Sequence, residues 1–213
     1  MDLIIAALPS LLKGAVVTLE ITSISVLIGT LLGTLTGIAK VSKKRLVNGA
    51  ASTYIEIIRG TPLLLQIYFF YFGLGYLQVD LGKYGAAIIA LAVNCGAYTA
   101  EIVRAGIQAI PRGQMEAARS LGMTYSQSMR KVILPQAFKQ IIPPMVNEYT
   151  AILKDSSLVS VIALSELTRT GQVWVTRTFR PFEIFGAVGA IYLVMTFILS
   201  RLAGRLERRL KTE

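Results

Sequence analysis

The sequence predicts an all-α membrane protein with five transmembrane helices, N-terminus outside and C-terminus inside. Three observations carry the prediction. First, 54% of the 213 residues are apolar and the mean hydropathy is +0.59, whereas a soluble domain is ~45–50% apolar. Second, apolar residues form charge-free blocks at 21–39, 60–79, 84–100 and 184–200, near the ~20 residues that cross ~30 Å of hydrocarbon. Third, the basic residues behind the net charge of +10 are clustered. Lys40, Lys43, Lys44 and Arg45 follow the first block; Arg112, Arg119, Arg130 and Lys131 follow the third; Arg201, Arg205, Arg208, Arg209 and Lys211 close the chain. Cytoplasmic segments carry their basic residues in such places. The link at 80–83 is neutral in sum, as an external loop can be. The bias demands an odd number of spans, and five fits. It assigns the positive charge to the lipid bilayer surface rather than to nucleic acid.

The first span is expected over 13–39. Asp2 stands where a cleavable signal would carry a basic residue, so this helix is expected to remain in the mature protein. Gly29, Gly33 and Gly37 recur every four residues on one face, and small faces permit close helix approach in lipid. Packing within the chain is the preferred reading over a dimerisation face. The second span, 52–77, is entered through Arg59-Gly60-Thr61-Pro62, which weakens or kinks a helix unless Pro62 lies in a first turn. Broken helices at membrane depth need protein or a wet cavity beside them. Gln66 and Tyr68 follow and are candidates to face a pathway; an interfacial belt is the other reading of the tyrosines.

The third span covers 84–110. Asn94, Tyr98, Glu101 and Arg104 fall near i, i+4, i+7 and i+10 and share a face. Glu101 and Arg104 can pair within one turn, and the deeper Asn94 needs a partner or a ligand. Cys95 reads as a packing residue. With one cysteine and no histidine, neither a metal site nor an internal disulfide is expected, and no cofactor is implied.

The fourth span, 138–164, is interrupted by Lys139, Pro143-Pro144, Asn147, Glu148, Lys154 and Asp155. Two prolines remove two backbone donors and are expected to break the helix. Polar, interrupted helices point to transport sites. Glu148 and Asp155 are seven residues apart, which puts both on one face of an intact helix. Ionisable groups at depth are costly and functional; the alternative is a short span with these groups in an external loop. Residues 165–183, with Trp174, read as an external loop or surface helix with an interfacial aromatic. The fifth span covers 184–202 and ends in the basic segment 205–211.

Between the third and fourth spans lies a polar island at 111–135. Pro111 can start a helix. Glu116 in its early turns suits the helix dipole, and Ala117 and Ala118 are strong helix formers of little bulk. Gly122 suits a left-handed helix end, Thr124 can cap a second helix through Lys131, and Pro135 is expected to redirect the chain toward the membrane. A rigid helix–turn–helix of this kind is a docking element rather than a solvated loop.

Glu116-Ala117-Ala118, Gly122 and Leu134-Pro135, at their spacings, resemble the EAA loop of ABC importer permeases, with Val132 where isoleucine is more usual. Arg59-Gly60-Thr61-Pro62-Leu63, Asn94, Tyr98, Glu101 to Gly106, Asn147-Glu148 and Lys154 to Leu158 are similar to the polar amino-acid uptake branch, so the resemblance covers nearly the whole chain. It implies a single permease domain over 1–213. Its implied partners are a cytoplasmic ABC ATPase dimer, a second permease subunit (identical or paralogous), an external amino-acid-binding protein and an amino-acid substrate. It implies a bacterial cell membrane as the location. Glu116, Ala117, Ala118, Arg119, Leu121 and Gly122 would then engage the ATPase. Glu148, Asp155, Asn94, Gln66 and Tyr68 are the candidate substrate residues, and their carboxylates favour a basic amino acid. Lys154 is weighed for the substrate carboxylate against a snorkelling role. The chain has no G-x-x-x-x-G-K-[ST] phosphate loop and no nucleophile–base constellation, so it is expected not to be an enzyme. The competing functional reading is a secondary transporter or channel that works without ATP.

Overall fold

The computed structural model describes residues 2–211, with side chains through Arg205; the side chains of Arg208, Arg209 and Lys211 in the basic C-terminal segment lie outside the described residues. Every regular element among them is helical. Helix α1 is Asp2–Lys40, so it begins well ahead of the expected start at 13. The extra turns are held because Ala7, Leu11 and Ala15 are buried against later elements.

The segment expected as one span at 52–77 is two helices. Helix α2, Arg45–Arg59, ends at Gly60, and α3, Leu63–Tyr68, starts after Pro62. Helix α3 passes through a π-helical turn, Phe69–Gly73, into the short α4, Leu74–Tyr76. The two arms meet at 102°. Proline just ahead of α3 needs no donor there, which makes it a starter of the second arm rather than a kink in one helix.

Helix α5, Gly82–Gln108, lies close to its expected bounds. It packs parallel to α1, because contacts advance together along both helices. A methyl group built on Gly29 would stand 2.7 Å from Cys95 Cβ, one on Gly33 2.5 Å from the Gly96 carbonyl oxygen, and one on Gly37 2.6 Å from that of Ala100. The glycine stripe is thus spent on packing inside the chain. Ser25 Oγ adds a hydrogen bond to the Ile88 carbonyl at 3.2 Å.

Next come α6, Arg112–Ser120, α7, Tyr125–Ser128, a π-helical turn at Met129–Ile133, and α8, Leu134–Asp155. Two expectations are corrected here. Pro135 does not redirect the chain: it occupies the first turn of α8, where its missing donor costs little. Nor does Pro143-Pro144 break the helix expected there, since α8 continues through both. Its 22 residues are enough to cross the hydrocarbon at about 1.5 Å each. Ile141, Ala137 and Ile133 bury against Val103 and Ile107 of α5, and this packing holds the helix despite the lost bonds. Helix α8 runs antiparallel to α5, with Gly106 of α5 against Ile141 near one end and Asn94 beside Asp155 near the other.

A 3₁₀ helix, Ser156–Ile162, then leads to α9, Leu167–Thr178, and α10, Pro181–Lys211. Residues 165–183 therefore hold a packed helix, and Trp174 is half-buried, with its indole nitrogen donating to Ser10 Oγ at 2.6 Å. Helix α10 runs parallel to α1: Ile184 and Val188 meet Ala7 to Ala15, while Met195 and Leu202 lie beside Leu19 and Val26. Among the described residues three helices, α1, α5 and α10, are long and apolar enough to cross a membrane, and the bent pair makes a fourth candidate.

Candidate functional site

A cavity of about 470 Å³ opens where the α2–α3 bend faces α5 and α8. The bend lends Arg59 and the Gly60–Thr61–Pro62 turn, α5 lends Asn94 and Tyr98, and α8 lends Glu148 and Asp155. Two carboxylates and one guanidinium line it. The seven-residue separation of Glu148 and Asp155 does put both on one face, because α8 is unbroken. Arg59 lies over the Tyr98 ring, with Cζ 5.0 Å from the centroid.

The candidate residues divide. Glu148, Asp155 and Asn94 share the cavity. Gln66 stands behind it: its amide nitrogen donates to the Ile58 carbonyl (2.7 Å), the Thr61 carbonyl (3.1 Å) and Thr61 Oγ1 (3.0 Å). Its oxygen accepts from Asn94 Nδ2 at 3.0 Å. Gln66 therefore closes the turn left open by Gly60 and Pro62 and orients Asn94. Tyr68 is exposed, packs on Phe72 at 5.7 Å between centroids, and does not line the cavity. Lys154 is exposed and also lies outside it. The sequence marks Arg59 only as the first residue of the Arg59-to-Leu63 motif and gives it no role of its own; the fold places it in the cavity wall.

Glu101 and Arg104 pair as expected, Nε to Oε1 at 2.9 Å, and Lys40 of α1 adds a contact to Oε2 at 3.5 Å. A polar residue that sequence reasoning misses is Glu166, fully buried. It caps α9, accepting from the Thr168 (2.8 Å) and Arg169 (2.6 Å) backbone amides, and accepts from the Tyr192 hydroxyl at 3.1 Å. It ties α9 to α10, with Thr18 of α1 3.5 Å away. Glutamate is not among the preferred N-cap residues, so nothing local marks it.

The 111–135 island is a helix–turn–helix. Helix α6 ends in a Schellman turn: Met123 N–H bonds the Ala118 carbonyl (3.2 Å), Gly122 N–H bonds that of Arg119 (3.0 Å), and Gly122 has φ +81°. Thr124 and Gln127 form a reciprocal capping box on α7, at 3.2 and 2.8 Å. Ala118 is buried, whereas Glu116, Ala117 and Arg119 are exposed and Leu121 is 83% exposed. Lys43, beyond the end of α1, lies over the Tyr125 ring at 5.4 Å, so the element sits at the basic end of the bundle. A cavity of about 500 Å³, lined by Ile107, Arg112, Met115 and Met129 among others, underlies its root.

A polar cavity open on one side of an apolar helical bundle, with a rigid exposed peg at its basic end, fits the membrane-embedded subunit of a transporter. Residues 26–212 match the family described as binding-protein-dependent transport system inner membrane component. The chain belongs to that family, the permease subunits of ABC importers, which have no ATPase site of their own. It is 39% identical over 207 residues to the glutamine transport system permease protein of Escherichia coli (strain K12), covering 96% of this chain and 94% of that one. It is 40% identical over 211 residues to the arginine transport system permease protein of Bacillus subtilis (strain 168), covering 98% and 95%. A crystal structure of an amino acid ABC transporter with histidines superposes with TM-score 0.92 at 45% identity, covering 97% of this chain and 96% of that one. The MetNI methionine ABC transporter, at 20% identity and TM-score 0.77, covering 94% of this chain and 95% of that one, shares the fold.

Proposed function

We propose that this chain is the translocation subunit of an ATP-driven importer of basic amino acids (arginine, lysine or histidine) in a bacterial cell membrane. The observation that carries the substrate class is the charge of the cavity. Glu148 and Asp155 against Arg59 leave one carboxyl group in excess over the cations that line the cavity. A zwitterion brings its carboxylate to Arg59 and its ammonium to a carboxylate; the second carboxylate then calls for a second cation. Relatives named for glutamine and arginine are about equally similar, so identity does not choose between them, whereas the charge count favours arginine.

The helix directions support five crossings with the termini on opposite sides, and the basic segments after α1 and at the end of α10 support N-terminus out and C-terminus in. Helices α1, α5 and α10 are mutually parallel, the bent α2–α4 arm returns between the first two, and α8 returns between the last two. Helix α8 is less apolar than α1, α5 and α10 because it carries Lys139, Glu148, Lys154 and Asp155. In this reading the exposed polar face of α8 is covered by the second permease subunit, since lipid would leave it unsatisfied. Glu116, Ala117, Arg119, Leu121 and Gly122 present the surface that the ATPase dimer grips, with Ala118 buried beneath them. The binding protein delivers substrate at the Asp155 end.

The test is uptake by the complete transporter, with its ATPase and binding protein, in vesicles. ATP-dependent import of arginine, with glutamine and glutamate excluded, supports the reading. Import of glutamate as fast as arginine would sink the charge argument, and import without ATP would place the chain among secondary carriers.

A further inference from the structure

A second groove, of about 440 Å³, continues from the first toward the helix–turn–helix. Arg59, Tyr98 and Glu148 line both. Beyond this neck the walls are Glu101, Ala105 and Gly106 of α5 and Gln140 and Pro144 of α8. Gln140 lies eight residues before Glu148, or about 12 Å along the helix. The charge of Glu101 is already matched by Arg104 and Lys40. Glu101 Oε2 makes no hydrogen bond of its own, and the neutral acceptors that stand beside it for a passing ion are the Gln140 side chain, which makes no hydrogen bond among the described residues, and one backbone carbonyl. Proline has no N–H, so Pro144 withholds the usual donor from the Gln140 carbonyl. Both residues face the groove, one turn apart.

A proline pair inside a membrane helix needs a compensating partner for the carbonyls it strands. Here the surroundings supply a groove wide enough for water on the path between the substrate cavity and the coupling element. We infer that this groove is a second binding station, in which the Gln140 carbonyl and side-chain amide accept hydrogen bonds from the cationic end of the substrate after it passes the Arg59–Tyr98 neck. The station rests on the proposed import of basic amino acids. Pro144 then keeps one backbone acceptor open where a charged group pauses. Two stations of graded strength allow a cation to enter tightly and still leave, which a single deep site does not.

The experiment uses the complete transporter in vesicles. Pro144→Ala restores the helical donor, and alanine favours the helix, so the variant should fold with equal or higher thermal stability. Maximal arginine uptake should fall about tenfold, the size of one lost hydrogen bond to a charged group, with KM little changed. Adding Gln140→Glu to that variant should restore the rate by supplying a new acceptor, which relief of a merely mechanical hinge would not do. Wild-type arginine turnover in Pro144→Ala would overturn the station, and so would a defect that Gln140→Glu does not rescue. Glu148→Gln run in parallel separates the two claims. A raised KM there with normal Pro144→Ala turnover removes only the station, whereas unchanged uptake in Glu148→Gln removes the substrate cavity itself.

Discussion

Helix α5 has two faces built on opposite principles. One is closed: Gly29, Gly33 and Gly37 of α1 let its backbone approach so closely that a single methyl group would collide. The other is open: Asn94, Tyr98 and Glu101 look across grooves toward Glu148, Pro144 and Gln140 of α8. Lipid offers no hydrophobic drive between helices, so the closed face is held by dispersion over a long small-residue seam. The open face keeps polar groups that a packed seam could not tolerate. A rigid half and a wet half on the same helix are what a subunit needs if one side must stay fixed while the other passes a charged solute.

The contrast can be broken at both faces. The largest effect is expected for Gly33→Leu. Its side chain would drive into the Gly96 carbonyl and Thr99, costing about 3 kcal/mol and showing as lost folded yield and a lower unfolding temperature. Gly122→Val tests the peg at the end of the open face. Nothing lies within 4 Å of the added Cβ, but φ is +81°, so the strain is local, about 1–2 kcal/mol. Protein yield should persist while ATP-dependent uptake is lost; normal uptake would detach Gly122 from coupling. Glu148→Gln, on the open face, should raise the arginine KM about tenfold, the scale of one charge-assisted contact, with unchanged thermal stability. The smallest effect belongs to Gly49→Ala in α2, where nothing lies within 4 Å of the added methyl. It should stabilise by about 0.5–1 kcal/mol, and a loss instead would show that glycine matters beyond the seam.

Legibility in the sequence follows the same division. The glycine stripe of α1, the extent of α5 and the Glu101–Arg104 pair rest on local periodicity, and so are readable, whereas the stripe's partner helix is not. The Gly122 turn and the Thr124 cap rest on backbone chemistry within a few residues and are equally so. What escapes depends on contacts between distant segments. The proline pair on its own predicts a break in α8, yet burial of Ala137 and Ile141 against α5 carries the helix through. Gln66 reads as a pathway residue until the 102° bend folds it back onto Ile58 and Thr61. Arg59 enters the cavity only because of that bend. Glu166, in a segment that reads as surface, is buried by α1 and α10 closing over it.

Thiol accessibility along α5 during turnover tests the two-faced account most directly. The lone native cysteine, Cys95, is buried in the seam and serves as the internal reference. Cysteine placed at Tyr98 or Ala105 should react with a membrane-impermeant thiol reagent, at a rate that changes with ATP and falls when arginine is present. Cys95, and cysteine placed at Thr99 or Val103, should stay unreactive throughout the cycle. ATP-dependent labelling at the seam positions, or unchanging protection at Tyr98 and Ala105, would contradict the division of α5 into a fixed face and a transport face.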